Sequence, residues 1–309
     1  MTQVAAQPKE QQAAVRDLEP LFAPRSVAVV GASRTPGSVG NAVMRNLIEA
    51  GYTGAVYPVN PKAKSIFGNP CVKSVTAIGE PVDLAVLIIP ATATEAVVIE
   101  AADAGTRNFV IISAGFKEIG GEGAVREKRI RDLARERGLN IIGPNCLGVI
   151  NTAKDVCLNA SFSRDTPRAG SLGLISQSGA LCTALLDYAK VRGNGFSRFV
   201  SFGNKVDVSE IDLMRALAHD PLTRVILMYV EDISDGQGFI DAAHEISHGP
   251  DPKPIVAIKT GRTAAGAAAA ASHTGSLAGS DETYEAMMRQ AGVMRVESVE
   301  DLFDYAECF

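Results

Sequence analysis

The chain is short of the residues from which metal sites, disulfides and membrane spans are made. It has four histidines and five cysteines in 309 residues. Cys71, Cys146, Cys157, Cys182 and Cys308 form no CxxC pair and no ligand cluster. An odd, scattered set of this kind reads as reduced thiols, so no metal is expected and the setting is cytoplasmic. No apolar run approaches the ~20 residues needed to cross a bilayer, and the longest, such as Leu84–Ile89, are short. Met1–Lys9 lacks a basic stretch followed by an apolar one, so no secretory signal is expected. Nor is there an excess of positive charge. A net charge of −5 argues against nucleic acid as a partner. What remains is an ordinary globular composition, 46% hydrophobic and 21% charged, in a chain long enough for two domains.

Residues 1–17 are rich in Gln and Ala and read as a disordered tail. Short apolar runs then alternate with helical stretches. Strands are predicted at 26–30, 55–59, 84–89, 109–112 and 140–142, with helices at 39–50, 93–105 and 122–137. Near-continuous Val/Ile/Leu strands in such a rhythm imply a parallel sheet covered on both faces. The polar, Pro- and Gly-containing segment 151–170 interrupts it. The rhythm restarts with strands at 172–175, 198–202, 225–230, 255–258 and 293–296. Helices follow at 179–191, 209–218, 237–247, 281–290 and 298–307. The expectation is an α/β protein of two successive doubly wound parallel-sheet domains, 18–152 and 153–309. Ligands of such sheets lie beyond the carboxyl ends of the strands.

The first strand runs into Gly31-Ala-Ser33-Arg-Thr-Pro-Gly37-Ser38-Val39-Gly40, a glycine-rich turn that suits an anion at a helix N-terminus. It lacks GxGxxG spacing, and a purely structural turn is the alternative. A second absence is sharper. No acidic residue occurs between Glu49 and Glu80, whereas NAD-binding sheets end their second strand on a carboxylate for the ribose diol. This one ends Asn60-Pro-Lys62-Ala-Lys64, which suits a ligand phosphorylated on its ribose, NADP or coenzyme A. Later strands end at Pro90, Ser113 and Gly143-Pro-Asn145-Cys146. Cys146 has no histidine nearby in sequence and reads as a small buried thiol. In the second half, Ser176-Gln-Ser178-Gly179 and Gly203-Asn-Lys-Val-Asp207-Val-Ser-Glu210 lead into helices, Asp207 and Glu210 at capping-box spacing. The strand 225–230 ends at Glu231, a carboxylate able to hold one nitrogen of an imidazole.

His273 lies in the most unusual stretch, Thr260–Asp281, almost wholly Ala, Gly, Ser and Thr. No large side chain in the ten residues before it would pin it in a core. A neutral imidazole there is a nucleophile or, on the plain reading, an exposed loop histidine.

Ser272-His-Thr-Gly-Ser-Leu-Ala-Gly-Ser-Asp281 resembles the phosphohistidine loop of NDP-forming acyl-CoA synthetases, the succinyl-CoA synthetase superfamily, in wording most like the ADP-forming acetyl-CoA synthetases. Gly31-Ala-Ser33, Gly143-Pro-Asn-Cys-Leu-Gly148 and Ser176-Gln-Ser-Gly179 match in the same order, over residues 18–309. The resemblance implies a Rossmann-like CoA-binding domain and then a flavodoxin-like ligase domain. It implies coenzyme A on Ser33, Gly37, Ser38, Val39, Gly40, Lys62, Pro90, Ser113 and Asn145. It implies phosphate carried on His273, oriented by Glu231 and cradled near Ser176, Ser178, Gly179 and Gly203. It also implies a small carboxylic acid as substrate. ADP or ATP with Mg²⁺ would sit on an ATP-grasp subunit or domain, in a hetero-oligomer. Nothing in this chain resembles that domain, so the chain reads as an α-type subunit or part of a longer protein, unable to turn over alone. The alternative is a non-catalytic CoA-binding regulatory module. His244-Glu-Ile-Ser-His248 fits HExxH, but Gly249-Pro250 ends its helix at once. Ser178 resembles a nucleophile elbow without its flanking glycines.

Overall fold

The computed structural model describes residues 16–261 and 280–309. His273 and most of its loop lie outside the described residues. Arg16 and Asp17, which the sequence places at the end of a tail, are anchored. The Arg16 guanidinium pairs with Asp207 at 3.0 Å and donates to the carbonyl of Leu139, and Asp17 accepts from the N–H of Glu19.

After a short helix α1 (Glu19–Phe22), the first half is built from β1 (Ser26–Val30), α2 (Val39–Glu49), β2 (Ala55–Val59), the small hairpin β3 (Ser65–Ile66) and β4 (Asn69–Pro70), β5 (Leu84–Leu87), α3 (Ala91–Asp103), β6 (Asn108–Ile111), α4 (Glu122–Arg137) and β7 (Asn140–Ile142). Its sheet is all parallel, in the order β2-β1-β5-β6-β7. Every residue of β5 and β6 is buried, which is why β5 and, after Asn108, β6 read as continuous apolar runs rather than alternating ones.

The second half runs β8 (Gly148–Asn151), β9 (Leu158–Ser161), β10 (Ala169–Ser176), α5 (Gly179–Arg192), β11 (Phe196–Ser201), α6 (Glu210–His219), β12 (Val225–Val230), α7 (Gly236–His248), β13 (Ile255–Lys259), α8 (Asp281–Gln290), β14 (Met294–Val296) and α9 (Val299–Ala306). Its sheet order is β14-β13-β12-β10-β11-β8-β9. The strands β10 to β14 are parallel, and β8 and β9 add an antiparallel pair on the β11 edge. This pair is not among the strands predicted from the sequence. The segment expected to interrupt the rhythm contains β9 and the start of β10, and β8 hydrogen bonds into the second sheet rather than the first. Short polar strands such as Leu158-Asn-Ala-Ser161 carry no strong pattern of their own.

The parallel strands of the two sheets, β1, β2, β5, β6 and β7 in one and β10 to β14 in the other, share one topology. The first strand in sequence lies inside, the next goes to one side, and the rest follow on the other. The order therefore reverses between β1 and β5 and again between β10 and β12, the two places where such sheets bind ligands. The halves are closely joined. Asn46 of α2, 2% exposed, donates from Nδ2 to the carbonyls of Ser161 and Ser163 at 2.8 Å each. Asn204 donates from Nδ2 to Glu118 (2.7 Å) and Glu127 (2.8 Å), and its carbonyl accepts from Lys117 Nζ.

Candidate functional site

The carboxyl edge of the first sheet meets the β10 end of the second in a cleft of about 560 Å³. This is within the ordinary range for a small-molecule site. Its walls come from the loops after β1, β5, β6 and β7 (Val39, Ile88, Ile112, Ser113, Ala114, Asn145, Cys146) and from Gln177 to Ala180 and Thr183, with Phe162 on one side. Among the described residues no carboxylate lines it. Two helix N-termini contribute: Ser38 caps α2, accepting from Asn41 N–H, and Ser178 caps α5, accepting from Leu181 N–H. The unpaired N–H groups and axial dipole of a helix start favour anions.

The structure gathers some predicted residues and assigns others a supporting part. Val39, Ser113, Asn145, Ser178 and Gly179 line the cleft. The Ser113 hydroxyl donates to the carbonyl of Ile89, and its carbonyl accepts from Asn145 N–H, tying adjacent strand ends together. Ser33 Oγ accepts from Thr35 N–H and so shapes the first turn. Gly37 is exposed in that turn, and a Cβ there would meet nothing within 4 Å. Gly40 serves packing: a Cβ there would lie 2.1 Å from the carbonyl oxygen of Gly31, so its absence lets α2 sit against the strand end. Lys62 is on the exposed turn after β2, outside the cleft walls, its N–H held by Asn60 Oδ1. Pro90, exposed, precedes α3 at its N-cap.

Ser176 is fully buried, and its hydroxyl donates to the Ser178 carbonyl and accepts from the Ser178 N–H. It builds the turn rather than facing a ligand. Gly203 turns toward the first half, where a Cβ would come within 2.3 Å of the Pro144 carbonyl oxygen. The predicted cap at Asp207 and Glu210 is displaced by two residues. Ser209 and Asp212 form the capping box of α6, while Asp207 accepts from the N–H of Ile141 and from Arg16.

Glu231, half-buried at the end of β12, sits over a polar network that sequence reading missed. Gln177 Oε1 accepts from the N–H groups of Glu231 (2.5 Å) and Asp232 (3.0 Å), and its Nε2 donates to Asp232 Oδ1 at 2.8 Å. Lys205 Nζ lies 3.0 Å from the Asp232 carboxylate and 3.1 Å from that of Glu210. Burial works to raise the pKa of Asp232, but Lys205 and the Gln177 amide outweigh it, so its carboxyl is held below the usual range. One strand further, Lys259 is buried over the ring of Tyr284, and burial, aided by Arg295, lowers its pKa. Spacing between motifs gave no signal for these groups, because their partners come from other strands.

Cys146 is buried with its thiol donating to Ile111 O, and burial pushes its pKa up. Ser178, as a cap, is engaged with the helix backbone. His244 and His248 stack on each other on α7, and the His244 ring nitrogen Nε2 contacts the Gln290 carbonyl at 2.8 Å. Among the described residues no group of three or more His, Cys, Asp or Glu is placed to hold a metal ion, and no helix is long and apolar enough to cross a membrane.

Comparison with known proteins agrees with this layout. Residues 25–152 match the family model of the CoA binding domain, and residues 169–309 that of the succinyl-CoA ligase like flavodoxin domain. The chain is 46% identical over 293 residues to the α subunit of acetate–CoA ligase [ADP-forming] I of Pyrococcus furiosus, covering 94% of this chain and 62% of that one. It is 43% identical over 290 residues to 4-hydroxybutyrate–CoA ligase [ADP-forming] of Nitrosopumilus maritimus, covering 94% of this chain and 41% of that one. A solved acetyl-coenzyme A synthetase 1 of Ca. Korarchaeum cryptofilum, in complex with phosphate and ADP, superposes with a TM-score of 0.89 at 41% identity, covering 94% of this chain and 62% of that one. The chain thus spans between 41% and 62% of the length of these relatives. With both halves matched in order, the chain belongs to the NDP-forming acyl-CoA synthetases, the succinyl-CoA synthetase superfamily, and carries their α-subunit-like part.

Proposed function

We propose that this chain is the CoA-binding, phosphohistidine-carrying part of a nucleotide-forming acyl-CoA synthetase. With an ATP-grasp partner, in a hetero-oligomer in the cytoplasm, it would interconvert acyl-CoA, ADP and phosphate with a small carboxylic acid, CoA and ATP. The observation that carries this reading is the cleft itself, which joins the ligand edge of a nucleotide-type sheet to the N-terminus of α5. The fit to coenzyme A rests on that volume, on the absence of carboxylates among the described lining residues and on the start of α2. Its binding residues would be Ser33, Gly37, Ser38, Val39, Gly40, Lys62, Pro90, Ser113 and Asn145, with Gly40 acting through packing. When bound, CoA supplies the thiol that carries the acyl group.

The chain's own part is covalent. His273 takes the phosphoryl group of an acyl phosphate, a P–N bond replacing the P–O bond, and the acid leaves as a carboxylate. ADP, bound with Mg²⁺ on the partner, then receives the phosphoryl group and the imidazole is regenerated. Splitting one transfer into two lowers each barrier. Glu231 would hold the other imidazole nitrogen, and Ser176, Ser178, Gly179 and Gly203 would form or support the phosphate cradle.

The test is to incubate the chain and its partner with labelled ATP and assay protein phosphate for acid lability. Acid-labile label that disappears in His273→Ala is expected. Label that persists in that variant defeats the mechanism. CoA binding without any protein phosphate would point to a non-catalytic CoA-binding module instead.

A further inference from the structure

The second sheet ends its two central strands differently. The last ladder pair of β10 and β12 is Ser176 with Tyr229. Beyond it the β10–β12 ladder stops, and the N–H groups of Glu231 and Asp232 turn to a side chain. Gln177 meets the strand twice over. Its backbone N–H donates to the Tyr229 carbonyl at 3.0 Å, and its side chain takes both N–H groups of the β12 end and gives one bond to the Asp232 carboxylate. The orientation of the amide is fixed by chemistry. Two of its partners are donors and the third is a carboxylate, so only the oxygen can face the first two and only the NH₂ the third. The side chain is 6% exposed, and the next residue but one, Gly179, opens α5.

We propose that Gln177 is a positioning residue, fixing Glu231 at the end of β12 against the N-terminus of α5. The proposal rests on the phosphohistidine reading above. Asp232 and Lys205 complete the support: Lys205 donates to the carbonyl of Asp232 at 3.0 Å and pairs with its carboxylate, so β12 is held from β10 on one side and from the loop before α6 on the other. A network whose every member is bonded stiffens the loops it joins. In this frame the direction of the Glu231 side chain is set by the strand end rather than by its own torsions alone. Among the described residues, the charged groups around this network are Glu231 and Asp232 just after β12, Lys205 before α6 and Glu210 at its start, and, acting on Asp232 or Glu231 through space, Lys117 from the turn after β6 and Lys259 of β13.

Two substitutions read this out in the complete synthetase, chain and partner together. Gln177→Met keeps the length and loses all three bonds. Gln177→Glu keeps the acceptor for both N–H groups but sets a negative charge against Asp232. Once protonated, that carboxyl again offers an acceptor and a donor, as the amide does. The expected result for Gln177→Met is a fall in kcat of about ten- to a hundred-fold at every pH, the range seen when a group that orients a reacting residue is lost. The KM for CoA should change less than kcat, since Gln177 meets the cleft only from the second sheet and the strand ends of the first are unchanged. The expected result for Gln177→Glu is a comparable loss at pH 8 that shrinks as the pH falls toward 5. A lowered melting temperature with wild-type kcat in both variants overturns the proposal, and so does a Gln177→Glu loss that does not vary with pH. If the wild-type enzyme shows no acid-labile phosphate dependent on His273, the functional reading has failed instead, and the two failures are told apart.

Discussion

A methyl group on Gly203 would stand 2.3 Å from the carbonyl oxygen of Pro144 and 2.4 Å from that of Asn145, at a φ of +51° that side chains seldom adopt. Gly203→Ala should therefore cost more than the gain of ~0.4–1 kcal/mol that a compatible site would give, with strain of about 1–3 kcal/mol. A urea midpoint equal to that of the wild type would show that the close approach is not needed. The thiols give a second residue-level prediction. Burial pushes the Cys182 thiol up to about 12, and Cys146 moves the same way, whereas Cys308 is exposed. At pH 8 iodoacetamide should label Cys308 and leave Cys146 and Cys182 unmodified in the folded chain, as read by peptide mass spectrometry. Early labelling of Cys182 would contradict the burial. Gln177 shows why such residues are hard to read in a sequence. It stands in the middle of Ser176-Gln-Ser-Gly179, where the glycine and serines draw attention, and its partners Glu231 and Asp232 lie 54 and 55 positions away.

At the scale of elements, the start of α6 offers two overlapping patterns, Asp207-x-x-Glu210 and Ser209-x-x-Asp212. Both have the right spacing, so the sequence alone cannot choose. The fold chooses the second, because the N–H of Ile141 and the guanidinium of Arg16 take the Asp207 carboxylate. Ser209→Ala should cost about 0.5–2 kcal/mol, measured by thermal or urea unfolding, and a value near zero would mean the box is not closed in solution. The parallel strands were legible for a physical reason: burial on both faces favours continuous apolar runs, as in β5, in Phe109–Ile111 of β6 and in most of β12. Some helix limits were legible too, as in α5, which begins at Ser178 and ends at Gly193. The antiparallel pair β8 and β9 was not legible, since its pairing is set by the β11 edge and its residues Asn151, Asn159 and Ser161 are polar groups bonded inside the fold.

At the scale of the molecule, the acid side of the stability curve should be set partly by carboxylates behind the site. Burial alone would raise the pKa of both Asp232 and Glu118, but Lys205 and Gln177 for the one, and Asn204 and backbone N–H groups for the other, leave both below their ordinary values of 3.8 and 4.5. A group whose pKa is lower in the folded than in the unfolded chain stabilises fully above the unfolded value, and this is lost as the pH falls through the folded one. The contribution is therefore complete above about pH 4.5 and fades below it. Asp207 runs the other way, since burial outweighs Arg16 and raises it, so acid relieves rather than worsens its cost. Asp232→Asn should lower the melting temperature at pH 7 and flatten its fall between about pH 4.5 and pH 3. A wild-type slope in that window would count against the network.

The hairpin β8–β9 also bears on recombining this chain with its relatives. It leaves the first sheet, pairs with the second, and then returns carbonyls of Ser161 and Ser163 to Asn46 on a helix of the first. A crossover at 152/153 would draw β8 from one parent and β9 from the other, and a crossover near 165 would separate Asn46 from neither strand but still divide the hairpin from β11. Shuffling libraries built on the two matched families as cassettes should accordingly yield functional hybrids mainly when the 148–163 stitch and its α2 and β11 neighbours descend from the same parent.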